Sequence, residues 1–226
     1  MALTLPFVLI SCGDNKDEPE NLDTRKWVDL GLPSGMLWAT CNIGADSPED
    51  YGDYFAWGET SPKEVYNWDA YKWGEATEYI DIWKYIYDYY DYSSGTTTHG
   101  DGKTELDSSD DAATANWGAE ARMPSLEEIQ ELMDNCSWEW VQRNGVYGQL
   151  GTGPNGNTIF LPAAGYRSDE SLRGEGSNGY FWSRTLSPHD CASACNLNFD
   201  MCDLCWQGFH NRINGFPVRA VRVTQN

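Results

Sequence analysis

The chain is poor in basic residues: 15 Lys and Arg stand against 35 Asp and Glu in 226 residues, a formal charge of −20. Phosphate-bearing partners are held by basic patches, so this balance argues against nucleic acid and against anionic membrane surfaces. Long apolar runs are lacking too, and no stretch approaches the about 20 residues of a membrane span. The common catalytic signatures are absent: there is no G-x-S-x-G elbow, no H-E-x-x-H helix and no phosphate-binding loop. A chain with 35 acidic residues produces paired carboxylates by chance, so no glycosidase dyad is assigned. Residues 88–101 do not fit a calcium-binding EF-hand loop. No catalytic residue and no cofactor is expected.

A hydrophobic share of 40% with 14% aromatics is enough for one sizeable core, and nothing suggests a second. Residues 1–11 form a short apolar run ending in Leu9-Ile10-Ser11-Cys12, the pattern in which a small residue precedes a cysteine that is lipidated. Residues 1–12 therefore read as a lipoprotein signal peptide with its lipobox, although its positive n-region is missing. Residues 13–25, polar and interrupted by Pro19, read as a flexible tether. Residues 26–226 are the folded domain. The expected location is the outer membrane or cell surface, with the membrane contacted only through lipid on Cys12.

Residues 26–30 and 36–41 predict a hairpin around Pro33-Ser34-Gly35, and residues 146–150 and 158–161 a second through Pro154-Asn155-Gly156. Helical patterns are few. The clearest begins at Ser125, with Glu128 completing a capping box and Leu126, Ile129, Leu132 and Met133 as the buried stripe. Residues 110–117 predict a shorter helix opened by acidic residues, which suit its positive end. Residues 79–92 hold six tyrosines and Trp83 among Asp81, Asp88 and Asp91. They read as an insertion packing its own aromatics over the core, with a stacking platform for sugar rings as the alternative.

Residues 179–222 are unlike the rest. Their charge is +1 against −21 for residues 1–178, so bulk charge does not select what they bind. A frame of strand and turn residues encloses side chains that neither alternate in polarity nor form a helical stripe. Trp182, Ala194, Leu197, Phe199, Leu204, Trp206, Arg212 and Phe216 are expected to fix the backbone. Arg184, Leu186, His189, Asp190, Ser193, Asn196, Asn198, Asp200, Asp203, His210, Asn211, Ile213 and Asn214 are the candidate ligand contacts. A folding requirement would not choose such a mixture.

Several runs carry a family likeness: Trp27-Val-Asp-Leu-Gly-Leu-Pro-Ser-Gly-Met-Leu-Trp-Ala-Thr-Cys41, Tyr51-Gly-Asp-Tyr-Phe-Ala-Trp-Gly-Glu-Thr60, Asp111-Ala-Ala-Thr-Ala-Asn-Trp-Gly118, Arg122-Met-Pro-Ser125, Ile159-Phe-Leu-Pro-Ala-Ala-Gly-Tyr166 and Gly215-Phe-Pro-Val-Arg219. Together they resemble the bacterial major paralogous domain (FISUMP) family over about residues 27–222. The resemblance implies an α+β fold of the C-type-lectin type, shared with formylglycine-generating enzyme, in which a closing strand at residues 216–223 pairs with the first hairpin. It also implies that residues 179–222 look like the product of a diversity-generating retroelement, whose error-prone copying changes adenines and so scatters residues over a constant scaffold. The function expected is that of an adhesin-like or receptor-like surface protein binding an unidentified protein or glycan. A carbohydrate-binding module without diversification and a catalyst like formylglycine-generating enzyme are the alternatives. The Glu-Pro-Asn, Gln-Pro-Asp and Trp-Asn-Asp motifs of calcium-dependent lectins are missing, and the enzyme's copper-binding cysteine pair cannot be placed on any two cysteines here.

Seven cysteines remain to be allotted. With Cys12 acylated, Cys41 and Cys136 lie among the constant residues and are the first candidates for a disulfide in an oxidising compartment. Cys191, Cys195, Cys202 and Cys205, with His189 and His210 nearby, suggest a zinc set, local disulfides or simply side chains of the variable segment. The spacing is not that of a zinc knuckle, and no metal site is assigned.

Overall fold

The computed structural model describes residues 27–77, 80–91, 96–202 and 204–223. The lipobox with Cys12, the tether, Tyr79, Tyr92 and Asp203 lie outside the described residues, as do the side chains of Tyr89, Tyr90, Leu204, Cys205 and Trp206.

Strands β1 (Trp27–Asp29) and β2 (Leu37–Ala39) pair antiparallel with Val28 opposite Trp38, around a turn in which Gly35 N donates to Leu32 O at 2.9 Å. This is the first predicted hairpin. Residues 74–98 add two small hairpins, β3 (Gly74–Ala76) with β4 (Ile80–Ile82) and β5 (Tyr89–Asp91) with β6 (Thr96–Thr98). Helix α1 (Ala112–Trp117) starts where Asp111 accepts from Thr114 N at 3.0 Å. The other Asp111 bonds run to Met123 N, so the same carboxylate that caps the helix also holds the next segment. Helix α2 (Leu126–Asn135) has the full capping box of Ser125 and Glu128, and it buries Ile129, Leu132 and Met133. Both helices lie where the sequence places them.

A meander follows: β7 (Ser137–Arg143), β8 (Val146–Thr152) and β9 (Thr158–Pro162). The β8–β9 pairing is the second predicted hairpin. Strand β7 was not anticipated, yet Asn144 and Gly145 between Arg143 and Val146, at φ of 48° and 87°, form the two-residue loop in which Asn-Gly is strongly preferred. A short hairpin, β10 (Tyr166–Ser168) with β11 (Ser171–Arg173), leads to the sheet of β12 (Gly179–Leu186), β13 (Ser193–Phe199) and β14 (Leu204–Asn211). The chain closes with β15 (Val221–Arg222) on β2, Val221 opposite Trp38.

The expected closing strand over residues 216–223 is shorter than predicted. Its ladder is confined to Val221 and Arg222, because Pro217 has no N–H to give and the preceding backbone pairs bond by bond: Ile43 N donates to Val218 O at 3.0 Å and Ala39 N to Ala220 O at 2.9 Å. Arg219 turns inward there, donating to Asn42 Oδ1 and to the carbonyls of Ala39 and Thr40.

Among the described residues the fold is made mostly of short antiparallel sheets, three three-stranded and three two-stranded, with two α-helices, an architecture that fits the expected α+β class and equally a mostly-β one. The core lies on both sides of the β12–β13–β14 sheet. Trp182, Leu186 and Ala194 face Phe55, Trp57, Phe216 and Val218, while Phe181, Leu197 and Phe199 face Leu132, Ile129 and Trp38. The insertion divides as well. Tyr85 is fully buried and donates to Asp110 Oδ2 at 2.6 Å, as a self-packed loop requires, whereas Trp83 stays 53% exposed.

Candidate functional site

The segment proposed to vary forms a three-stranded sheet, and its two covered faces decide which side chains reach solvent. The expected backbone anchors Trp182, Ala194, Leu197, Phe199, Arg212 and Phe216 are all buried. Two candidate contacts must be corrected. Leu186 is buried in the core beside Trp182 and Ala194, and Asn196 is buried opposite Gly208, where its side chain and that of Asn198 occupy the space a Cβ on Gly208 would need. Neither is available to a ligand. Strand position overrides side-chain chemistry here, because at these two positions the sheet is covered by packed residues and the side chain has no route to solvent.

Arg184 also serves the fold. Its Nη2 donates to Leu106 O at 2.8 Å and its Nε lies 3.2 Å from Glu105 Oε2, joining β12 to the segment before α1. Ile213 packs against the cluster of Tyr54, Ala56, Tyr66 and Tyr71. Asn214 is half-buried in a turn in which its N donates to Asn211 O at 3.0 Å.

The remaining candidates fall into two groups at opposite ends of the sheet, with a third in between. His189, Asp190 and Asn211 are exposed at the β12–β13 end, where half-buried Ser193 pairs with Asn211. The His189 ring stands edge-on to Phe209 at 4.8 Å. Beneath this end Arg212 acts as a clamp: fully buried, it donates from Nε to the Tyr71 hydroxyl, from Nη1 to Cys191 O at 2.9 Å and from Nη2 to Lys84 O at 3.0 Å. Its guanidinium also lies 4.9 Å from the Trp57 ring. The loop therefore projects from a fixed base. Between the ends, half-buried Asn198 and His210 share a sheet face with Tyr180. His210 Nδ1 is 2.9 Å from Asn196 Oδ1, and burial holds its pKa below the ordinary histidine value. Burial first, then the nearby Tyr166 and Asp200, raises that of Tyr180.

At the β13–β14 turn, Asp200 accepts from Cys202 N at 2.7 Å and Met201 is 68% exposed. Met201 borders a cavity of about 270 Å³ with Trp140, Tyr147 and Ser177. The Trp140 and Tyr147 rings are near-parallel, 5.9 Å apart at 8°. Asp200 was among the candidate contacts, but Met201, Trp140, Tyr147 and Ser177 were not. Met201 was overlooked although it lies inside the segment, and the Trp140–Tyr147 pair was legible only once the Asn144-Gly145 turn was seen to bring β7 and β8 together.

The five cysteines whose side chains are described do not gather as paired ligands. The structure draws no bond between Cys41 and Cys136, which corrects the expected disulfide; the Cys136 thiol is pushed up to about 11 by burial. Cys195 is buried with Sγ 3.4 Å from Leu186 O and its pKa pushed up to about 12, first by burial and then by Glu127. Cys191 Sγ accepts from Tyr87 N at 3.2 Å, and Cys202 is exposed at the far turn. Among the described residues no three His, Cys, Asp or Glu side chains gather as a metal set. Among those residues, too, no helix is long and apolar enough to cross a membrane.

No protein-family model, curated protein or solved structure matches the chain.

Proposed function

We propose that the protein is a surface-tethered binding protein of the major paralogous domain family, with a C-type-lectin-like domain whose ligand site lies on the loops of residues 179–222. The observation that carries this reading is a separation within one segment. Its strand residues Trp182, Leu197, Phe199 and Arg212 are buried, while the chemically mismatched His189, Asp190, Met201, Cys202 and Asn211 are exposed where those strands join. Exposed loop positions on a rigid sheet can change with stability shifts of about half a kcal/mol, so specificity can vary on a constant scaffold. Recognition proceeds without turnover, and the tether rests on lipidation of Cys12, which mass spectrometry of the mature N-terminus would detect.

The test is a screen of glycan and cell-surface protein arrays with the intact protein and with a variant carrying His189→Ala, Asp190→Ala and Asn211→Ala together. Loss of the bound ligand without a change in melting temperature is the expected result. An unchanged profile in the variant would refute the loop site. A second reading, a carbohydrate-binding module, is favoured by the parallel Trp140 and Tyr147 rings beside the Met201 cavity, since such faces cover the apolar side of sugars. Loss of binding in Trp140→Ala, with the loop variant still active, would select it.

A further inference from the structure

A second cavity, of about 330 Å³, is built from residues outside 179–222. Its walls include Asp53, Tyr54, Lys63, Glu64, Tyr66 and Arg167. Most of its polar groups are already spoken for. The Tyr54 hydroxyl donates to Ala164 O at 2.6 Å, and the Tyr66 hydroxyl donates to Tyr54 O at 2.6 Å while accepting from Lys63 N. Lys63 Nζ is bound to Glu59 Oε1 at 2.9 Å and to Ala70 O at 2.8 Å.

Arg167 is the exception. Among the described residues its guanidinium makes no hydrogen bond or ion pair; it lies 5.4 Å from the Tyr54 ring, which leaves its N–H edges uncommitted. Its backbone is fixed, with N donating to Gly215 O at 2.8 Å and O accepting from Gly215 N at 2.9 Å. The Tyr66 wall is held equally firmly by reciprocal bonds to Asp169 at 2.9 and 3.0 Å. Among the described residues the other charged groups of this cavity without a partner are the carboxylates of Asp53 and Glu64, and both Arg167 and Asp53 act electrostatically on the Tyr66 phenol. A guanidinium fork matches a carboxylate in two parallel bonds, and two carboxylates beside it disfavour a plain anion while welcoming an ammonium group. A cavity near the small end of the ligand range, walled by two aromatic rings, suits a compact molecule.

From this arrangement we propose that the cavity binds a small zwitterion of the free amino acid type, its carboxylate on Arg167 and its ammonium group toward Asp53 and Glu64. The site does not involve the loops assigned above, so the two readings stand or fall separately.

Titration calorimetry of the intact protein with the twenty free L-amino acids tests it, with acetate, inorganic phosphate and methylamine as single-charge controls. At least one amino acid should bind more tightly than every control. Arg167→Lys, which keeps the charge and loses the fork, should weaken that binding by about 10- to 100-fold, as loss of a charged hydrogen bond does. Glu64→Gln, at an exposed position that leaves folding untouched, should weaken it less, and the triple loop variant should leave it unchanged. Phosphate or acetate binding as tightly as any amino acid would mark a plain anion site and overturn the proposal. So would methylamine binding as tightly, or no amino acid binding at all.

Discussion

The Nε of Arg212 donates to the Tyr71 hydroxyl at 2.8 Å, a buried bond across 141 positions of the chain. Through it the end of β14, the aromatic insertion at Lys84 and Tyr85 and the loop at Cys191 are held by one side chain, because the other guanidinium nitrogens bond to those three carbonyls. No acidic partner is needed when carbonyls and aromatic faces surround the charge.

Arg212→Lys should therefore destabilise the protein by about 2–4 kcal/mol, since an ammonium cannot reach the same acceptors and leaves buried carbonyls unpaired. Hydrogen exchange should rise first at residues 84–85 and 187–192. A variant that melts like the parent would show that the clamp is redundant.

The contrast between neighbours on β13 gives a second expectation. Phe199→Ala should cost about 3–5 kcal/mol as a buried aromatic truncation, while Asn198→Ser should stay within about half a kcal/mol. Asn196→Ser, a buried position, should fall between the two because the His210 ring loses its partner. Chemical denaturation of the three variants measures this, and equal losses would contradict the division into anchors and changeable sites.

Stability should depend on pH through His210. Its folded pKa is lowered by burial, so between that lowered value and the ordinary value near 6.5 the unfolded chain binds the proton and the folded one does not. Stability contributed here is present above that window and is lost as the pH falls through it. His210→Gln, which keeps a donor for Asn196, should lose less stability than the parent between neutral and mildly acid pH in matched melts. A steeper loss in the variant would reverse the assignment.

Thiol accessibility supplies a fourth expectation. At mildly alkaline pH iodoacetamide should modify the exposed Cys202 well before Cys195 or Cys136, whose thiols are pushed up to about 12 and about 11. Peptide mapping reads the order. A Cys41–Cys136 disulfide recovered from the protein would contradict the structure described above.

What could be read from the residues was what adjacent positions decide. Ser125 with Glu128, Asp111 before Ala112, and Pro154-Asn155-Gly156 each act within a few residues, and the capping box, the short helix and the β8–β9 hairpin are formed as their chemistry requires. The anchors were legible for a related reason: an aromatic or aliphatic side chain alternating along a strand predicts burial on one face, and Leu197 and Phe199 are buried.

The candidate contacts were legible only in part, since polarity alone does not say how a strand is covered. Asn196 and Leu186 were both read as contacts, and both lie inside because cores pack against the two faces of the β12–β13–β14 sheet. Which mismatched residues reach solvent, that Met201 meets Trp140 and Tyr147, and that Arg167 opens into a cavity with Asp53 were decided by tertiary structure. Capping and turn formation are settled within one turn of chain, whereas exposure depends on which distant segments arrive to cover a surface.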